Sequence, residues 1–239
     1  MIEETENVQD MGYSNSSIFY KPPKEKEPIL ARIFSIILHP LFMVLYAVIL
    51  IFVHTDFKFL FANQFVQFMA PVLFFSCIIP ASGIYFLKIS GIIQNFRLNN
   101  RNEWLLPFSI FFLSYGLLFY YFFSAKLYIW FLAVVAIPVI LLIVYTIISR
   151  FWNISAYMMG IGGLIGCIMS VCYHIKGLNL YVLFIILFIL AGCLGVSRLA
   201  MNKSTPAQVY IGFLIGIIIS YLTVYVGAYW GFVIFLKNL

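Results

Sequence analysis

Long apolar blocks, separated by single charges or short polar stretches, are the feature of this sequence that most limits its fold. Each block reaches or approaches the roughly 20 apolar residues that a helix needs to cross a bilayer. The blocks are approximately Ile33–Val53, Phe59–Leu87, Trp104–Ala125, Leu127–Ser149, Ser155–Tyr173, Leu178–Ser197 and Pro206–Phe235. The sequence therefore predicts an all-α, polytopic integral membrane helix bundle with about seven, and at least six, transmembrane helices.

Composition supports this class and excludes others. Of the 239 residues, 64% are hydrophobic and 9% are charged, whereas soluble domains contain about 45–50% apolar and about 25% charged residues. A water-soluble enzyme is thereby excluded. The 14 Lys and Arg residues outnumber the 8 Asp and Glu residues, but they stand singly between apolar blocks. We therefore relate the charge excess to membrane topology and expect no nucleic-acid partner.

The chain ends and the helix interruptions can also be predicted. Residues 1–28 are polar, contain proline and have few aliphatic side chains, so we expect a flexible tail before a membrane domain over 29–239. No apolar stretch lies near the start, so the first block is expected to be an uncleaved helix. Pro71 and Pro80 predict a kink in the second helix.

A tight turn is predicted at Lys126. Between Trp104 and Ser149 only Ser124, Ala125 and Lys126 interrupt the apolar sequence. One continuous helix over this stretch would measure about 69 Å, which is twice the thickness of the bilayer core. The chain must therefore reverse there, although the turn contains neither glycine nor proline.

Seven crossings place the N-terminal tail and the segments 88–103, 149–154 and 198–205 on one membrane face, which we call the motif face. Basic residues are concentrated there: Lys21, Lys24, Lys26, Arg32, Lys88, Arg97, Arg101, Arg150, Arg198 and Lys203, against Lys58, Lys126, Lys176 and Lys237 opposite. By the positive-inside rule, the motif face is predicted to be cytoplasmic.

Three polar segments of the motif face have the chemistry of an anion site. They are 97–104, 153–157, and Ser197-Arg198 with 205–208. Arginine offers a planar fork to phosphate oxygens, and a helix N-terminus attracts the same charge. Ser155 is a predicted N-cap of the fifth helix, and Thr205-Pro206 is predicted to start the seventh. A simpler interpretation is that arginine here serves topology and that serine and threonine serve capping.

These segments resemble a degraded form of the three-part signature of the type 2 phosphatidic acid phosphatases, membrane enzymes related to vanadium haloperoxidases. The family pattern is K-x(6)-R-P, then P-S-G-H, then S-R-x(5)-H-x(3)-D. Arg97 stands at the lysine position and Trp104-Leu105 at Arg-Pro, while 154–157 stand at P-S-G-H. Ser197-Arg198 match the third motif. The resemblance covers about 97–216 and implies a phosphatase-like core over about 88–235.

The resemblance assigns roles to individual residues. It gives the phosphate-holding roles to Arg97, Arg101, Ser155, Ser197 and Arg198. The nucleophile position is Ser204, the general-acid position Tyr157, and the orienting position Gln208, because both family histidines and the aspartate are replaced. Ser204 has no evident base beside it in sequence, and a tyrosine releases its proton reluctantly at neutral pH.

The resemblance thus implies a membrane protein that binds or dephosphorylates a lipid phosphate, or a catalytically inactive relative that only binds one. Its partners would be membrane lipids, with no metal and no cofactor. A bacterial inner membrane is the expected location. The resemblance places the motif face outside the cytoplasm, which opposes the charge count. The alternative is a non-enzymatic membrane protein, either a small transporter or an assembly subunit.

Further residues allow two interpretations each. His39, about two turns inside the first helix, is the histidine placed to reach the motif face, and it is either functional or a helix-packing residue. The G-x-x-x-G pairs Gly162/Gly166 and Gly212/Gly216 permit close helix packing, within the bundle or between two copies. The four cysteines lie inside apolar blocks and lack zinc-type spacing, so they are expected to fill the core.

Overall fold

The computed structural model describes residues 28–91, 105–176 and 180–237. These residues form helices and no strand, which confirms the predicted all-α class. The helices are α1 (Ile29–Ile37), α2 (Met43–His54), α3 (Phe57–Leu60), α4 (Phe65–Leu73), α5 (Ile79–Ile89), α6 (Leu105–Ser124), α7 (Ile129–Ser149), α8 (Ala156–Ser170), α9 (Tyr181–Ala200) and α10 (Pro206–Lys237).

Seven segments of the described chain are long and apolar enough to cross a membrane, so the protein is an integral membrane protein. They are Ile29–His54, Phe65–Ile89, Pro107–Ser124, Ile129–Ser149, Ala156–Ile175, Tyr181–Ala200 and Pro206–Ile234. The predicted blocks match these spans closely, apart from the start of the second. That span begins at Phe65 rather than Phe59, because α3 and a 3₁₀ turn at Ala62–Gln64 precede it as separate short elements.

The first span is broken, where the sequence predicted a continuous helix. Helix α1 ends at Ile37, His39 is extended, and a 3₁₀ turn at Pro40–Phe42 leads into α2. Pro40 has no amide hydrogen and disfavours a helical residue before it. The dipeptide His39-Pro40 therefore contained the signal for this break.

The second span is interrupted in the region where Pro71 and Pro80 predicted a kink. A π-helical turn at Phe74–Ile78 lies between α4 and α5, with Pro71 inside α4 and Pro80 in the first turn of α5. Freed carbonyl groups in a membrane need other donors. Ser114 of α6 donates to the Phe75 carbonyl oxygen and so satisfies one of them.

The breaks in the first two spans contact each other. The Cys77 thiol in the π-helical turn donates to the Leu41 carbonyl oxygen in the 3₁₀ turn over 3.5 Å. Sulfur is a weak donor, so the contact contributes little energy by itself. It does show that the two irregular stretches lie side by side.

The predicted turn at Lys126 is confirmed. Lys126 adopts the left-handed conformation with a φ of 54°. Its amide donates to the Phe123 carbonyl oxygen over 3.0 Å, and the Leu127 amide donates to that of Phe122 over 3.4 Å. This is the Schellman arrangement that satisfies the last carbonyl groups of a helix. Lysine here occupies the position that glycine usually takes.

Helix α8 is the central helix of the bundle, because 72% of its span is buried against at most 39% for the other spans. It packs on α10 through the two predicted glycine pairs, so the packing within the bundle is confirmed. A Cβ atom at any of these four glycines would overlap a backbone carbonyl oxygen on the other side of this interface. The glycines are Gly162, Gly166, Gly212 and Gly216. The backbones can approach this closely because these positions lack side chains.

Candidate functional site

Two of the three polar segments meet at one end of the bundle. The Ser155 amide, which precedes α8, donates to the carbonyl oxygen of Gln208 in the first turn of α10 over 3.3 Å. Arg198, near the end of α9, reaches Tyr157 in the first turn of α8. The even number of crossings between these segments therefore brings them to the same face, as predicted. The first segment, with Arg97 and Arg101, lies outside the described residues.

Three side chains form what we call the polar cluster: His39, Tyr157 and Arg198. The Arg198 guanidinium carbon lies 4.1 Å from the Tyr157 ring centroid, which is a cation–π contact. The His39 ring meets the Tyr157 ring edge-on, with centroids 5.3 Å apart and planes at 82°. All three side chains are half-buried. Both contacts involve the Tyr157 ring, which therefore lies between Arg198 and His39 in the cluster.

His39 joins the cluster because of the break in the first span. Its Nδ1 accepts a hydrogen bond from the Leu41 amide over 3.3 Å and so caps the 3₁₀ turn. This bond assigns the proton of the neutral ring to Nε2, which makes Nε2 a donor. The sequence predicted that His39 alone among the histidines could reach the motif face. The structure places it beside the general-acid position of the family motif.

Ser155 occupies the predicted N-cap position of α8, but its hydroxyl does not cap the helix. The side chain is only 4% exposed, and within the described parts of the chain its oxygen has no hydrogen-bond partner. An unsatisfied buried hydroxyl costs about 1–3 kcal/mol. Since it lies at the positive end of a helix, an anion is the ligand that would best satisfy it.

Ser197 is engaged within its own helix. Its hydroxyl donates to the Cys193 carbonyl oxygen, one turn earlier, over 2.7 Å. The side chain is buried. A hydrogen bond from Ser197 to a phosphate, as the family resemblance implies, would require this hydroxyl to rotate away from Cys193.

The connection from α9 to α10 is fixed by two caps. Asn202 is left-handed with a φ of 51°, and the Asn202 and Lys203 amides donate to the carbonyl oxygens of Leu199 and Arg198 over 2.9 and 3.1 Å. This is a second Schellman motif. It holds the end of α9, and with it Arg198, in a defined position relative to α10.

Thr205 and Gln208 cap the start of α10 reciprocally. The Thr205 amide donates to Gln208 Oε1 over 3.0 Å, and the Gln208 amide donates to Thr205 Oγ1 over 3.4 Å. The predicted N-cap at Thr205 is therefore confirmed. The spacing T-x-x-Q is a capping box, a signal that the sequence carried. Gln208, the orienting position of the family motif, thus has a structural function here.

Ser204, the nucleophile position, lies half-buried in the loop between these caps. The chain has three histidines, and each has a different neighbour. His39 bonds to Leu41, His54 Nδ1 donates to the Leu50 carbonyl oxygen over 3.0 Å, and His174 pairs with the Tyr221 hydroxyl over 2.8 Å. None of these three hydrogen bonds, all within the described residues, involves Ser204.

Compared with protein-family models, with curated proteins and with solved structures, the chain gives no match in any of the three comparisons.

Proposed function

We propose that this protein binds the phosphate group of a membrane lipid at the motif face, as a divergent relative of the type 2 phosphatidic acid phosphatases. The observation that supports this most is the placement of Arg198. Its guanidinium carbon lies over the Tyr157 ring in the first turn of α8, and Ser155, which is buried, immediately precedes that helix. The positive end of α8 and the arginine both favour an anion.

The chemistry of the site favours a phosphate over a carboxylate. Arginine binds phosphate through two parallel hydrogen bonds, and a phosphate has further oxygens for Ser155 and the His39 Nε2 donor. The family resemblance assigns Arg97 and Arg101, which lie outside the described residues, to the same phosphate. A membrane surface supplies such a group on the head of a lipid.

We further propose that the site holds the phosphate ester without cleaving it. Phosphoryl transfer to a side chain requires an activated nucleophile in line with the leaving oxygen. Ser204 occupies the nucleophile position, and none of the hydrogen bonds described for the three histidines involves it. Tyr157, at the general-acid position, is a phenol, which releases its proton reluctantly at neutral pH. These features support binding and oppose catalysis.

The experiment compares two arginine variants of the full-length protein in nanodiscs. Arg198→Ala removes the side chain that is proposed to bind the phosphate. Arg150→Ala is the matched control, because it removes an exposed arginine from the same face. We expect Arg198→Ala to weaken phosphatidic acid binding about tenfold to a hundredfold, as for a charge-assisted hydrogen bond. Arg150→Ala should bind like the wild type. Equal binding by both variants would refute the phosphate site.

Phosphate release from phosphatidic acid, phosphatidylglycerophosphate and a polyprenyl pyrophosphate tests the absence of catalysis. We expect no release by the wild-type protein. Turnover that Arg198→Ala abolishes would instead establish an enzyme with an unfamiliar nucleophile. Because binding and release are measured on the same preparation, the two parts of the proposal are tested separately.

We propose a bacterial inner membrane as the location, with the motif face in the cytoplasm. The ten basic residues on that face, against four on the other, support this orientation. Reporter fusions at Lys126 and at the C-terminus would both report the extracytoplasmic side if it is correct. Cytoplasmic reporters at both positions would reverse the orientation and agree with the family resemblance.

A small transporter is the second candidate, because two broken helices touch in this bundle. The contact between Cys77 and Leu41 joins the breaks, and transporters bind substrates where discontinuous helices converge near the midplane. The position of the polar cluster argues against transport, because His39 contacts Tyr157, the second residue of α8. The cluster therefore lies at the end of the bundle rather than at the midplane. Phosphate flux into proteoliposomes, with Arg198→Ala as control, distinguishes transport from binding.

A further inference from the structure

An apolar cavity of about 210 Å³ adjoins the polar cluster. It lies between the first, third, fourth and fifth spans, and almost all of its surface is apolar. His39 lies in its wall and is also part of the polar cluster, so the cavity and the cluster share this side chain. Other wall residues are Ala47, Tyr115, Val134, Gly160 and Cys167.

The cavity runs from the motif face toward the middle of the membrane. Along α8 its wall extends from Ala156, beside Tyr157, to Cys167, which is about 17 Å at 1.5 Å per residue. This is roughly half of the 30 Å hydrocarbon core. A ligand in the cavity would therefore be elongated, with one end at the polar cluster and the other at the depth of Cys167.

We propose that the cavity binds one hydrocarbon chain of the lipid whose phosphate lies at the polar cluster. This inference rests on the proposed function and specifies its ligand as a phosphate lipid that inserts a single chain. The apolar wall excludes a polar solute, because the polar groups of the solute would find no hydrogen-bond partner there. The cationic end beside His39 selects for an anionic head on the same molecule.

The volume limits the ligand to one chain. An apolar cavity of about 150 Å³ holds one benzene molecule, so 210 Å³ accommodates a chain segment but not the two chains of a diacyl lipid side by side. Small residues keep the space open, since a larger side chain at Ala47 or Gly160 would project into it. A Cβ at Gly160 would meet Met43 and Pro40 at 3.4 and 3.5 Å, which is ordinary contact.

The test uses dodecyl phosphate with a photoreactive diazirine at the chain end, bound to the full-length protein in phosphatidylcholine nanodiscs. Peptide mapping after irradiation should find the label at the deep wall, near Val134 and Cys167. Ala47→Leu should lower this labelling about tenfold, because it displaces two or three methylene groups of the chain. Ala70→Leu, the same change at an exposed position, should leave it unaltered.

Gly160→Ala is the second variant, in case Ala47→Leu fails to fold, and it should lower labelling less. Two further probes test the two ends of the ligand separately. Dodecanol with the same diazirine lacks the phosphate, and butyl phosphate lacks the long chain. If Arg198-dependent binding persists but Ala47→Leu and Gly160→Ala leave the labelling unchanged, the cavity is not the chain site and the proposed function stands. If dodecanol labels the cavity as strongly as dodecyl phosphate, and Arg198→Ala has no effect, the phosphate site is wrong instead.

Discussion

The Arg198 guanidinium carbon lies 4.1 Å from the centre of the Tyr157 ring, although Tyr157 lies in the first turn of α8 and Arg198 in the last turn of α9. This contact joins the second and third motif segments and orients the only arginine described inside the bundle at this face. It also brings His39 into the same cluster, through the edge of the tyrosine ring.

The Tyr157 ring, rather than its hydroxyl, is expected to position Arg198. Tyr157→Phe keeps the cation–π contact and should bind phosphatidic acid like the wild type. Tyr157→Leu removes the ring and should weaken binding about threefold to thirtyfold, as expected for a contact of about 0.5–2 kcal/mol. A Phe variant as weak as the Leu variant would show that the hydroxyl contacts the ligand.

Gln208 is expected to contribute to stability through its cap rather than to chemistry. Gln208→Ala should lower the free energy of unfolding by about 1 kcal/mol, because the Thr205 amide loses its acceptor. Gln208→Glu preserves the capping box and should be neutral. Denaturant titration in mixed micelles measures both. Loss of lipid binding in the Ala variant, measured where that variant is fully folded, would contradict a purely structural role.

Close packing of α8 on α10 is expected to require glycine at position 216. A Cβ there would overlap the Met159 carbonyl oxygen, so Gly216→Ala should destabilise the protein by about 1–3 kcal/mol or more. Gly192→Ala is the matched control, because a Cβ at that position has no heavy atom within 4 Å. Thermal unfolding in detergent compares the two variants. Equal midpoints would mean that the helices are further apart than described.

Lys126 and Asn202 are left-handed residues that end two helices. Substitution by glycine is expected to change the stability of the protein differently at the two positions. Lys126→Gly should stabilise the protein by up to about 1 kcal/mol, because a left-handed conformation costs a residue with a Cβ atom about 1–2 kcal/mol. Part of this gain is offset, because glycine has more conformational entropy in the unfolded chain. Asn202→Gly should change less, since asparagine tolerates this conformation. Unfolding in mixed micelles tests the order. A larger gain at Asn202 would contradict it.

His39 is expected to maintain the break in the first span by capping the 3₁₀ turn. Asparagine is also a good N-cap, so His39→Asn should retain the fold, whereas His39→Leu should lose about 1 kcal/mol of stability. If His39 also contacts phosphate, both variants should bind phosphatidic acid more weakly. Wild-type binding by His39→Asn would restrict His39 to its structural role.

Several features of the fold could be predicted because they depend on short stretches of sequence. The length of the apolar sequence from 104 to 149 required a turn, and the turn is at Lys126. The G-x-x-x-G pairs predicted close packing, and they pack on each other. The sequence analysis did not predict the break at His39-Pro40, although proline carries the signal, because this dipeptide lies inside the single apolar block Ile33–Val53.

The candidate site was only partly predictable for a different reason. The motif resemblance selected Tyr157 and Arg198, which the structure brings together, and it selected Ser197 and Gln208, which hydrogen-bond locally instead. Sequence spacing records which residue types are present. It does not record whether a serine donates to its own helix or to a ligand, because both choices use the same hydroxyl.

The sequence by itself determined the class of this protein, its membrane spans and the shared face of two of its polar segments. Span length and hydropathy are local properties, so the chain specifies them without reference to its fold. Only the tertiary structure decided that His39 meets Tyr157, that Arg198 lies over the same ring, and that His39 lines an apolar cavity. These contacts depend on how each helix is rotated and tilted, and packing against neighbouring helices sets that orientation.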